Sequence, residues 1–219
     1  MVTLSAAGGR LAAAIFALVA GAPVAPKVES IVALTDEAVP VALRSALESK
    51  GVRLSLDGRP FCELWLRKNI PAEKGAASGA LYPDLAVSTA VGAIRFASAA
   101  TDFRGQSIPP GLYTLRYALP PEDGSHLGVS DYPDFLLLVR ASDDPNPTAK
   151  KKLEDLLESS RRATGTKHPG VLSLTKPSGA NFPEASVNER AHLVLQVRAK
   201  LDSGADMPIA LVVRGHAEQ

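Results

Sequence analysis

The chain has 219 residues, and its 24 Lys and Arg residues nearly balance 23 Asp and Glu residues, for a formal net charge of +1. A nucleic-acid-binding surface usually needs a clustered basic excess, so this balance argues against a nucleic-acid partner. Hydrophobic residues make up 46% of the chain and charged residues 21%, which is ordinary for a globular domain. Length and composition therefore predict one domain with room for a short additional segment.

The first 25 residues have the layout of a secretory signal peptide. Arg10 precedes a continuous apolar run over residues 11–20, and the small residues Gly21 and Ala22 follow it. A positive start, an apolar core and a small-residue exit are typical of export signals, although a buried N-terminal helix is the alternative. The run is shorter than the roughly 20 apolar residues of a spanning helix. We expect a signal peptide over residues 1–25, a mature domain over residues 26–219 that is periplasmic or extracellular, and no membrane span after signal removal.

Cys62 is the only cysteine, so the chain cannot form an intramolecular disulfide. It alternates with Leu64 and Leu66 in a strand-like segment. This position favours a small buried hydrophobe over the alternative, a thiol nucleophile. The domain must therefore be held together by its core alone.

Most of the mature segment has the pattern of short strands. Apolar residues at helical spacing predict one helix between Val39 and Lys50, and Asp57-Gly58 predicts a hairpin turn after it. Asn146-Pro147 has the pattern of a helix start and Gly165 that of a helix end, which predicts a helical insertion over about residues 147–164. Strands are predicted at 30–34, 52–56, 61–67, 91–96, 112–118, 135–139, 171–175, 191–200 and 208–214.

Two of these strands carry further information on burial. Tyr113, Leu115 and Tyr117 alternate with Thr114 and Arg116, which predicts a strand with one buried face and one solvated face. The run at 135–139 does not alternate, which predicts burial on both faces. Many strands and two short helical insertions indicate a mainly β protein, an antiparallel β-sandwich of immunoglobulin-like or jelly-roll-like form.

One segment carries a family resemblance. Arg104-Gly-Gln-Ser-Ile-Pro-Pro-Gly-Leu-Tyr-Thr-Leu-Arg116 combines a Pro-Gly turn with a Tyr-Thr-Leu strand. It resembles a pattern in uncharacterised secreted bacterial β-sandwich domains of unknown function, over about residues 91–139. The resemblance implies a β-sandwich and export, and it transfers no catalytic residue.

Catalytic motifs are missing from the sequence. It contains no His-Glu-x-x-His, no Gly-x-Ser-x-Gly and no glycine-rich phosphate loop. The one candidate loop is 122–134, where His126, Asp131 and Asp134 could hold calcium or a transition metal, and His168 could join them if the fold brings the loops together. The alternative is that these residues are ordinary turn chemistry.

Aromatic residues offer a second candidate surface. Trp65, with Phe61 on the same predicted strand, could form a platform for a sugar ring; the alternative is a core position. We expect an exported, non-catalytic binding or envelope-associated structural module whose partner is a small molecule, a glycan or an envelope protein. No resident cofactor is expected beyond the possible divalent metal. The alternatives are a metal-dependent hydrolase using the loop 122–134 and a carbohydrate-binding module using the Trp65 face.

Overall fold

Antiparallel strands dominate the computed structural model, which describes residues 25–77, 79–120 and 134–215. In chain order they are β1 (Lys27–Val32), β2 (Lys50–Leu56), β3 (Arg59–Leu66), β4 (Ala90–Phe96), β5 (Ala100–Thr101), β6 (Ser107–Ile108), β7 (Gly111–Ala118), β8 (Phe135–Arg140), β9 (Val171–Thr175), β10 (Glu184–Val187), β11 (Leu193–Lys200) and β12 (Asp206–Arg214). The α-helices are α1 (Val41–Ala46) and α2 (Leu153–Thr164), and a short 3-10 helix covers Ala141–Asp143. This confirms the predicted mainly β class. The predicted signal peptide lies almost wholly outside the described residues.

The described strands other than β5 and β6 form one sheet in the order β1-β2-β3-β4-β7-β8-β9-β12-β11-β10, and all neighbours are antiparallel. The sheet curls so far that its two edge strands, β1 and β10, approach each other. The result is a nearly closed cylinder with a seam between the edge strands. Because the strands form one continuous sheet, the finer prediction of a two-sheet sandwich is not confirmed.

Two of the predicted chain reversals and helix ends are confirmed. Asp57 and Gly58 both have positive φ, 50° and 72°, as a two-residue hairpin requires, and they join β2 to β3. Gly165 ends α2 at φ 70°, with its N–H donating to the carbonyl of Arg161, as a left-handed helix cap does. The first helix is shorter than predicted, because Leu47 already pairs with Arg67 as an extended bridge. The predicted start of the second helix at Asn146-Pro147 was wrong, since α2 begins at Leu153 and the Asn146 side chain instead accepts the N–H of Thr148 in a turn.

The interior of the cylinder is the main core. Tyr113, Leu115 and Tyr117 of β7 are fully buried in it, together with Leu136 and Leu138 of β8. On the outer face of β8, Leu137 and Val139 pack against Leu156 of α2. Strand β8 is therefore buried on both faces, as predicted.

The prediction of a solvated face on β7 was wrong. Thr114 is 0% exposed and Arg116 is 1% exposed, although both point away from the main core. The chain between β8 and α2 lies over this face and supplies Asp144, which bonds to both side chains. The alternation was read correctly, but the outer face is covered.

None of the helices in the described ranges is long and apolar enough to cross a membrane.

Candidate functional site at the seam of the sheet

Asp134 is the described member of the predicted metal-binding loop, and its carboxylate is already occupied. One oxygen accepts the N–H of Leu81 at 2.9 Å, and the other accepts the N–H of Tyr82 at 2.9 Å and the hydroxyl of Tyr117 at 2.7 Å. The side chain is fully buried. Asp134 therefore anchors the 81–82 loop to the sheet. His126 and Asp131 lie outside the described residues.

The two tyrosines around Asp134 are held as neutral donors. Burial raises the pKa of Tyr82 to about 12. Burial, followed by the hydrogen bond to Asp134, also raises the pKa of Tyr117 well above its usual value. The Tyr82 hydroxyl donates to the carbonyl of Thr175 and accepts the N–H of Ala210, both at 3.1 Å. These bonds tie the 81–82 loop to β9 and β12.

His168 does not meet Asp134 in this fold. It is exposed in the turn before β9, and its carbonyl accepts bonds from the Thr166 hydroxyl and the Gln106 side-chain amide. The backbone carbonyl of Asp134 instead accepts the N–H of Leu174, which lies near the opposite end of β9. At about 3.3 Å per residue, the two ends of this strand are more than 10 Å apart. Among the described residues, no group of three His, Cys, Asp or Glu side chains could hold a metal ion.

Trp65 is a core residue, so the core alternative is confirmed and the candidate sugar-binding platform was wrong. It is 3% exposed, and its indole N–H donates to the carbonyl of Val32 at 2.9 Å. A Cβ at Gly51 would lie 2.6 Å from the indole ring, so glycine at this position lets the ring lie close over β2. Phe61 packs in the main core and Trp65 in the cluster under α1. The two rings therefore do not present one face to solvent.

Cys62 is buried in the main core, as predicted for a small hydrophobe. Burial raises the pKa of its thiol far above the usual value. The thiol therefore stays protonated at neutral pH and is a poor nucleophile.

A buried ion pair that no sequence pattern predicted lies on the outer face of β7. The Arg116 guanidinium forks onto Asp144, with Nε and Nη2 at 2.7 and 2.8 Å from its two oxygens. The other N–H groups of Arg116 donate to the carbonyls of Ser88, Asn146 and Ala149. All five guanidinium donors thus have an acceptor. This arrangement fixes the chain between β8 and α2 and has a structural role.

Asp144 accepts further bonds from the Thr114 hydroxyl at 2.7 Å and the Lys151 ammonium at 2.8 Å. Burial acts to raise the pKa of Asp144, but the bonds from Arg116, Lys151 and Thr114 outweigh it and hold the pKa below its usual value. The carboxylate is therefore the stable form in the folded protein.

This shift predicts how stability depends on pH. A carboxyl whose pKa is depressed by folding stabilises the protein above its unfolded pKa of about 3.9, and the stabilisation is lost as the pH falls through the folded value. Asp144→Asn removes this titration. We expect the difference in unfolding free energy between wild type and variant, measured by urea denaturation, to be constant from pH 7 to 5 and to shrink below about pH 4. A difference that grows on acidification would contradict the assignment.

The seam of the cylinder contains a cavity of about 400 Å³. It opens because β10 pairs with β11 only as far as Gln196, where Glu184 is the partner. At the other end of the opening, the N–H of Ile70 donates to the carbonyl of Lys200 at 2.8 Å, and this bond closes the seam again. The cavity is therefore an opening between strands in the wall of the cylinder, and hydrogen-bonded backbone closes the seam at both ends of this opening.

The wall of this cavity, here called the seam cavity, is apolar, and its rim is charged. The wall consists of Val52, Leu64, Leu66, Val197 and Ala199, and three of these, Leu64, Val197 and Ala199, are buried. The charged residues of the rim are Glu48 and Lys50 on one side, and Arg198 and Lys200 on the other. A buried apolar wall with a few polar groups at the opening is typical of small-ligand sites, which span about 300–1,000 Å³.

Positive charge exceeds negative charge at the rim. Lys50, Arg198 and Lys200 face one lining carboxylate, Glu48. Asp206 beside the rim contacts Lys200 at 2.5 Å and Arg198 at 3.5 Å. Counting Asp206, three cations stand against two carboxylates. The rim therefore carries one net positive charge.

Phe182 forms one end of the seam cavity, with the Arg198 guanidinium 5.0 Å from its ring centroid. Phe182 also borders a second cavity of about 640 Å³, together with Tyr82, Lys176 and Met207. The two cavities therefore share Phe182 as a lining residue. Neither cavity could be predicted from the sequence, because each depends on how distant strands meet.

Comparison of the chain with models of protein families, with curated proteins and with solved structures gives no match. The resemblance over residues 91–139 to secreted bacterial domains therefore stays a prediction.

Proposed function

We propose that this chain is an exported binding module that takes a small, largely apolar molecule with an acidic group into the seam cavity. The observation that carries the proposal is the cavity itself. It has a volume of about 400 Å³, an apolar wall and a rim with excess positive charge. Burying apolar surface supplies most of the binding energy, at roughly 25 cal/mol per Å². The rim cations would orient the acidic group at the opening.

Export is proposed on the pattern of residues 1–25, with the mature domain acting in the periplasm or outside the cell. A domain without disulfides that keeps its thiol buried suits such a compartment, since no exposed cysteine among the described residues is open to oxidation. The partner on this proposal is a small molecule or a segment of an envelope component.

The proposal is tested with 1-anilinonaphthalene-8-sulfonate, an apolar fluorophore with one acidic group. We expect the folded wild type to bind it at one site, and decanoate to displace it. Val52→Trp places a large ring in the wall of the cavity, and we expect it to weaken binding by at least about tenfold, which is 1.4 kcal/mol. Fluorescence titration measures the effect.

Val32→Trp is the matched control. Val32 is 78% exposed on β1 and does not line the cavity, so the same substitution there should leave binding unchanged. Circular dichroism melting checks that both variants are folded. Equal binding by Val52→Trp and wild type would overturn the proposal.

A further inference from the structure

The edge of β11 carries a backbone position that neither neighbouring strand uses. Just beyond β11, the N–H of Leu201 donates to the carbonyl of Ala205, so the backbone groups of Leu201 point to the β12 side. The carbonyl of Lys200 instead accepts the N–H of Ile70 across the seam. Backbone groups of successive strand residues point to opposite sides. The N–H and C=O of Arg198 therefore face the seam, as those of Lys200 do.

Both flanking positions are paired, and Arg198 lies between them. Gln196 pairs with Glu184, the first residue of β10, and Lys200 bonds to Ile70. On the β12 side, Arg198 stands opposite Pro208 in a pair whose backbone groups point away from each other. Within the described ranges, the N–H and C=O of Arg198 have no backbone hydrogen bond to a residue across the seam. Arg198 also lines the seam cavity.

We propose that the seam cavity binds an extended peptide segment, one residue of which exchanges both backbone hydrogen bonds with Arg198. The inference rests on the proposed function and names the class of molecule that the cavity takes. A donor and an acceptor on one strand residue match the acceptor and donor of one residue in another extended chain. A fatty acid offers no such pair.

The same geometry sets the side-chain pattern of the peptide. In an antiparallel pair, directly opposite side chains point to the same face of the sheet. The residue paired with Arg198 therefore points outward, as Arg198 does, and its two neighbours point inward beside Val197 and Ala199. The inner positions meet the apolar wall and prefer apolar residues, whereas the outer position lies beside Arg198 and prefers an acid.

The inference selects the sequence apolar–acidic–apolar, and the probe is acetyl-Leu-Glu-Leu-amide. Its binding to the wild-type protein is followed by NMR titration. Two peptides serve as matched controls. N-methylation of the central Glu removes the N–H that donates to Arg198, and acetyl-Glu-Leu-Glu-amide places acids against the apolar wall. We expect each control peptide to bind at least about tenfold more weakly, as the loss of one hydrogen bond or of apolar contact implies.

The protein offers a second matched pair, Arg198→Pro and Arg198→Ala. Both remove the guanidinium, but only proline removes the backbone N–H. We expect Arg198→Pro to bind acetyl-Leu-Glu-Leu-amide at least about tenfold more weakly than Arg198→Ala. Should Arg198→Pro fail to fold, the peptide controls on the wild type still decide the question.

Equal binding of the methylated and unmethylated peptides, or stronger binding of acetyl-Glu-Leu-Glu-amide, would overturn the inference. Binding of 1-anilinonaphthalene-8-sulfonate that Val52→Trp weakens, without binding of acetyl-Leu-Glu-Leu-amide, would overturn the peptide inference and leave the proposed function in place. Failure of the fluorophore and the peptide alike would overturn both.

Discussion

Replacing Asp144 with alanine is expected to lower the free energy of unfolding by about 3–5 kcal/mol. The substitution leaves the Arg116 guanidinium buried, with its charge uncompensated on the outer face of β7. It also removes the acceptor of the Thr114 hydroxyl. Urea denaturation at pH 7 measures the loss.

The matched control is Asp143→Ala, one residue earlier in the same turn. Asp143 is exposed, and its carboxylate accepts a bond only from the neighbouring Ser142 hydroxyl among the side-chain bonds of the described residues. A change at such a surface position is usually within about 0.5 kcal/mol. Similar small effects at both positions would show that the Arg116–Asp144 pair adds nothing to stability.

Local signals in the sequence predicted much of the strand content. The Asp57-Gly58 turn and the Gly165 helix end depend on the conformational preferences of a few adjacent residues, and these act wherever the chain lies. The alternation of Tyr113, Leu115 and Tyr117 likewise gave the inward face of β7. Such features need no knowledge of the rest of the fold.

Strand β10 was not predicted because its local signal is weak. Glu184–Val187 is four residues long, half-buried or exposed throughout, and lies at the edge of the sheet. Its alternation of Ala185 and Val187 with Glu184 and Ser186 covers only four residues, and Val187 is exposed, so the pattern is too short to distinguish a strand from a loop. Because β10 begins only at Glu184, it leaves the rest of β11 unpaired on that edge and creates the opening of the seam cavity, so the cavity was unpredictable for the same reason.

The burial of Arg116 could not be predicted from the sequence either. An arginine between two apolar residues in a strand normally indicates a solvated face. Here its partner, Asp144, lies 28 residues away in a segment with no regular pattern. Only the path of the chain after β8 reveals that the face is covered, and that path is a property of the whole fold.

Replacing Leu115 with alanine is expected to cost about 2–5 kcal/mol of unfolding free energy. Leu115 is 0% exposed, pairs with Leu138 of β8 and lies in the main core of the cylinder, so truncation removes buried contacts and leaves a cavity. Leu112→Ala on the same strand is the matched control. Leu112 is half-buried at the start of β7, and its truncation should cost clearly less.

Thr114→Ala distinguishes a covered outer face of β7 from a solvated one. A solvated threonine would change stability by no more than about 0.5 kcal/mol. In the fold described, its hydroxyl donates to the buried Asp144 carboxylate at 2.7 Å, so its loss should cost about 1–3 kcal/mol. Both variants are measured by urea denaturation at pH 7. A large loss of stability at Leu115 with none at Thr114 would support a solvated outer face on β7. Small losses at both positions would mean that the inward face of β7 does not lie in the main core.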